Sequence, residues 1–154
     1  MTQLTDHFTL EEAQITTHRE IDNTAPMMII STLMKTALGM ERVRACLGDK
    51  SVTISSWYRC PELNKVVGSS PSSQHIKGEA VDFITPSYGS PLAIVRKLAE
   101  NKILIRFDQL ILEHSWVHIS FNSNPDVKPR GQVLTLLKDG KYAQGITDKF
   151  GVPV

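Results

Sequence analysis

Residues 72–83 read SSQHIKGEAVDF, and the apolar run continues through Ile84. A polar loop carrying His75 and Gly78 passes here into a strict alternation. Ala80, Asp82 and Ile84 fall on one side of a strand, and Val81 and Phe83 on the other. Asp82 is the misfit. An ionised carboxylate in a half-apolar strand is costly unless a positive charge sits beside it. Whatever supplies that charge decides how this strand is built into the fold.

Working outward, the segment WVHISF at residues 116–121 has the same design. Trp116, His118 and Ser120 share one face, while Val117, Ile119 and Phe121 form an apolar one. If the two strands are neighbours, Asp82 and His118 meet on the open face of a sheet whose other face is core. His75, seven residues upstream of Asp82, can fold back to join them. Two imidazoles and one carboxylate are a usual protein ligand set for catalytic zinc, with the fourth position left to water. Alternation alone equally admits a satisfied strand histidine, and an aspartate paired with lysine or arginine.

The remaining segments supply the scaffold. Thr9 followed by Glu12 is a capping-box pattern and predicts a short helix. DNTAP, residues 22–26, reads as a turn. A long helix is expected through residues 26–48, with Pro26 in its first turn and Gly48 at its end. Met27, Ile30, Met34, Ala37, Leu38 and Leu47 would be its core stripe. SVTISSWY (51–58) alternates as a strand, and RCPELNKVVG (59–68) turns into a short helix. Residues 90–102 predict a helix capped by Ser90. FDQLILE (107–113) then precedes WVHISF with only a short turn between. QVLTLLKDGKYAQGI (132–146) reads as a hairpin around Asp139 and Gly140. This order argues for an α+β fold, with a mainly antiparallel sheet and helices on one side, leaving an open face for Asp82 and His118.

Composition narrows the function. The 154 residues, 41% hydrophobic and 21% charged, fit one globular domain. A net charge of +1 gives no case for a nucleic-acid field or a polybasic membrane patch. No apolar run approaches the ~20 residues of a membrane span. MTQLTDHFTLEE lacks the basic and apolar regions of a secretory signal, so synthesis in the cytoplasm is expected. Cys46 and Cys60 form neither a disulfide framework nor a zinc-knuckle spacing and read as reduced thiols.

The run from Ser73 to Asp82, SQHIKGEAVD, resembles the Ser-x-His-x-x-Gly-x-Ala-x-Asp signature of zinc D-Ala-D-Ala carboxypeptidases. These belong to the LAS group of peptidoglycan metallopeptidases, which includes phage endopeptidases. WVHIS resembles the strand bringing the group's third ligand, and WYRCPELN (57–64) its Tyr-Arg-x-x-x-x-Asn segment. The similarity spans about residues 9–121 in the family's order, leaving a C-terminal hairpin at about 131–146. It implies zinc held by His75, Asp82 and His118. It also implies Ser73 at the pocket edge, a tight turn at Gly78, and Arg59 facing a substrate carboxylate or developing oxyanion. The implied substrate is a peptidoglycan stem peptide, and the implied form a monomer. A phage lysis or virion role fits the absent signal.

One departure concerns the base. Many members carry an acidic residue or histidine three positions before the last zinc ligand, where this chain has Ser115. Glu113, on the same strand face as Gln109 and Ile111, is the expected replacement. His114 is the competitor, although alternation turns it the other way. The expected chemistry is amide hydrolysis by zinc-activated water, as a carboxypeptidase or an endopeptidase. The alternative, favoured by Ser115, is a catalytically silent zinc-binding structural or wall-recognition module.

Overall fold

The computed structural model describes residues 1–154. Helices α1 (Leu10–Ala13) and α2 (Met27–Cys46) lead into β1 (Thr53–Ser56). Next come α3 (Pro61–Val66), β2 (Ala80–Ile84), α4 (Pro91–Glu100) and the short α5 (Lys102–Ile105). Strands β3 (Gln109–Leu112), β4 (Val117–Ser120), β5 (Gln132–Leu136) and β6 (Tyr142–Gln144) follow. The caps form as their residue types dictate. Thr9 and Glu12 make a reciprocal capping box on α1, and the Ser90 hydroxyl accepts from the Ala93 amide on α4.

All six strands form one sheet in the order β1-β2-β4-β3-β5-β6. Every pairing is antiparallel except β3 with β5. That exception has a simple cause. β4 already has β2 and β3 on its two edges, so the chain leaving it must turn and join the free edge of β3. The sheet is thus mainly antiparallel, and the fold is α+β, as the alternation patterns require.

Val81, Phe83, Leu110, Val117 and Ile119 are fully buried in the core cluster, together with Ile94, Val95 and Leu98 of α4 and Leu33, Ala37 and Met40 of α2. Fully burying a side chain of this size is worth roughly 1.5–3 kcal/mol. The face of α2 differs from the expected stripe. Met27 is 89% exposed, and Met34 and Leu38 also face solvent, although Ala37 and Leu47 are buried as expected. The face that packs instead runs through Leu33, Thr36, Ala37, Met40 and Val43.

Two contacts set this rotation. A Cβ added at Gly39 would lie 2.7 Å from the Phe121 ring, so the helix approaches β4 where it has no side chain. One turn earlier, the Thr36 hydroxyl donates to the Gly78 carbonyl at 2.8 Å. Neither a glycine nor a threonine registers in an apolar stripe, which is why the stripe pointed elsewhere.

Candidate active site

The register brings the two misfit residues together. On β2 and β4, Asp82 lies directly opposite His118, and its carboxylate contacts the His118 ring with Oδ1–Nδ1 at 2.9 Å. His75 reaches in from the loop before β2, its Nε2 lying 3.3 Å from Asp82 Oδ2. One ligand atom from each of His75, Asp82 and His118 lies within 4.8 Å of the others.

His75 is oriented from behind. Its Nδ1 lies 2.6 Å from the Trp57 carbonyl, which can only accept, so Nδ1 carries the proton and Nε2 faces Asp82. Burial pushes the His75 ring below its usual pKa, outweighing the pull of Asp82. The neutral ring therefore aims a lone pair at a carboxylate oxygen. Two acceptors facing each other at this distance call for a cation between them, and a His-Asp-His donor set is one that binds zinc. Burial alone would raise the Asp82 carboxyl, but the hydrogen bond to the His118 ring holds it well below the ordinary carboxylate range.

The Ser73 hydroxyl accepts from the His75 amide at 3.2 Å, fixing the loop that delivers the ring. Gly78 makes the turn between His75 and β2 at φ +76°. Its carbonyl accepts from both Thr36 and the Trp57 indole N–H, the latter at 3.0 Å. A Cβ at this position would meet Leu33 Cδ2 at 2.7 Å in addition to the backbone strain. Gly78→Ala should therefore destabilise the fold by about 1–3 kcal/mol and loosen the triad, read as a lower melting temperature and weaker metal retention.

Arg59 supplies part of the charge that Asp82 lacked. Its side chain is 14% exposed, with Nη2 donating to Asp82 Oδ2 at 3.2 Å and Nε to the Ser56 hydroxyl at 3.1 Å. The alternation reading had left an arginine partner open, and the chain uses both an arginine and two imidazoles. The rest of the fork lines a cleft of about 770 Å³ that also exposes His75, Asp82 and His118.

Glu113 borders the same cleft, beyond Ile111 on β3. Burial raises its pKa above the usual glutamate value, opposed by the nearby His118 ring and the Arg59 guanidinium. His114 and Ser115 are both exposed and lie outside the cleft lining.

Sequence reasoning missed other parts of the cleft. Buried Asn64 donates to the Ser70 carbonyl at 2.9 Å and holds the serine-rich wall that follows α3. Arg130, just before β5, and Leu134, Leu136 and Tyr142 of β5 and β6 also line the cleft. The β5 register could have signalled the leucines, because Ile111 pairs with Leu134, but only once the β3–β5 pairing was known.

No helix is long and apolar enough to cross a membrane. No curated protein matches the chain. Residues 6–120 match the family described as Peptidase M15, and these residues contain the His-Asp-His triad, Arg59, Ser73 and Glu113. Since the match takes in most of the 154 residues, the chain belongs to the peptidase M15 family.

Proposed function

We propose that this chain is a zinc peptidase of bacterial peptidoglycan, hydrolysing an amide bond in the stem peptide or cross-bridge. The observation that carries the reading is the convergence of three ligand atoms within 4.8 Å on the floor of a cleft that Glu113 also borders. Residues 1–154 act together as one peptidase domain, working as a monomer on the cell wall. A phage lysis or virion role is part of this proposal.

His75 through Nε2, Asp82 and His118 would hold the zinc. When bound, zinc polarises the scissile carbonyl and lowers the pKa of its water toward ~7. Glu113 accepts the proton of the attacking water and passes it to the leaving amine as the C–N bond breaks. Arg59, with Nη2 held by Asp82, turns its remaining N–H groups to the cleft. There they meet a substrate carboxylate or the oxyanion that develops on the attacked carbonyl. Ser73 keeps the His75 loop in place and offers its hydroxyl at the cleft edge.

Arg59→Lys retains the charge but loses the planar fork. It should lower kcat/KM by about tenfold or more, while the melting temperature of the zinc-loaded protein stays nearly unchanged. Full wild-type turnover in this variant would make Arg59 a bystander.

A second reading is a zinc-binding wall-recognition module without hydrolysis, favoured by Ser115 at the position where many relatives carry an acid or histidine. Incubation with purified peptidoglycan, with and without a chelator, separates the two. New chelator-sensitive amine ends, located by mass spectrometry, are expected. Their absence at stoichiometric zinc would leave only the recognition module.

A further inference from the structure

The family match ends at residue 120, yet the catalytic cleft does not. Its floor continues onto β5 and β6, through register pairs that follow directly from strand alternation. Ile111 lies beside Leu134, and Leu136 opposite Tyr142. These side chains share the open face with Asp82 and His118, while Val133 packs toward the core. Apolar side chains on a sheet face lining an open cleft are the usual floor of a ligand site. From β4 to β6 there are three strand spacings, so the floor extends about 14 Å past His118. An extended peptide laid across it covers that distance with roughly four residues.

The ledge has a polar anchor at one end. Asp108 is buried and accepts from Arg130 Nε at 3.1 Å, from Nη2 at 2.8 Å and from the Arg130 amide at 2.9 Å. This grip leaves Nη1 for the cleft, which Arg130 lines. Gln74, adjacent to His75, donates to the same Asp108 carboxylate at 3.2 Å, so the anchor is tied to the loop that carries a triad member. At the other end Tyr142 is 52% exposed, and it lines the same cleft as Glu113 and Asp82.

We propose that the C-terminal hairpin is a substrate subsite. It takes the extended peptide segment upstream of the terminal dipeptide, whose small side chains rest on Leu134, Leu136 and Tyr142 and whose own carboxylate meets Arg130. The inference rests on the peptidase reading for the identity of that peptide. It explains why a hairpin outside the matched region borders the cleft, and it makes the enzyme selective for substrates several residues long.

The test uses the full zinc-loaded chain carrying Glu113→Gln, so that peptide binds without being consumed. Calorimetry compares the peptidoglycan stem pentapeptide with its terminal dipeptide. Adding Tyr142→Ala or Arg130→Gln, both at exposed side chains, should each weaken pentapeptide binding about tenfold and leave the dipeptide unaffected. On the Glu113 background of the active enzyme, the same changes should raise KM for the pentapeptide with kcat nearly constant. Equal pentapeptide affinity in both hairpin variants would overturn the subsite, whatever the turnover. If no peptide is cleaved but hairpin-dependent binding persists, the subsite stands and the hydrolytic reading alone fails.

Discussion

Glu113→Gln should reduce peptide hydrolysis by about 10² to 10⁴, the usual worth of a positioned acid–base group, with zinc content and fold retained. Glutamine preserves the size of the side chain and can still bond water, but it cannot take a proton. The pH profile gives a second readout. Glu113 works as a base only when ionised, and burial raises its pKa above the ordinary glutamate value. Activity should therefore fall as pH drops through that raised value, and this limb should be missing from the residual rate of Glu113→Gln. His114→Ala is the control: its exposed ring lies outside the cleft lining, so near-normal turnover is expected. A dead His114→Ala beside an active Glu113→Gln would reverse the assignment of the base.

The second large effect concerns the triad. His75→Ala removes one donor of three and leaves the Trp57 carbonyl without the N–H that reaches it at 2.6 Å. Zinc measured by atomic absorption should fall from one per chain to near zero after dialysis, and hydrolysis should drop to background. His118→Ala should do the same from the other side of Asp82, at the residue whose ring bonds Oδ1. Tightly held stoichiometric metal in either variant would disprove the ligand set.

Much of this site is legible in the chain because strand alternation is a local property. Asp82 and His118 each stand out as a polar residue on a face opposite an apolar row, and their direct pairing on β2 and β4 follows from that pattern. Glu113 and His114 separate in the same way, one bordering the cleft and the other in solvent. What stayed hidden depends on contacts between distant segments. The rotation of α2 is set by the absence of a side chain at Gly39, and no hydrophobic count records an absence. The β3–β5 pairing follows from which strand edges remain free, so the cleft wall from Arg130 to Tyr142 had no local signal. Arg59 was legible as a cleft residue, but its bond to Asp82 was not.

Trp57 carries a consequence of a different kind. Its carbonyl orients His75, its indole N–H bonds the Gly78 carbonyl, and its fully buried ring packs edge-on to Phe8 in the core. The residue is thus at once scaffold and ligand holder, and thermodynamic linkage makes the two roles reciprocal. A metal that binds the folded chain at a free concentration of 1,000 times its Kd adds about 4.1 kcal/mol to stability. By the same reciprocity, a substitution that loosens the packing around Trp57 should weaken the proposed metal binding without changing His75, Asp82 or His118. If the triad holds zinc as proposed, a chelator should act on the protein as a mild denaturant, lowering its melting temperature.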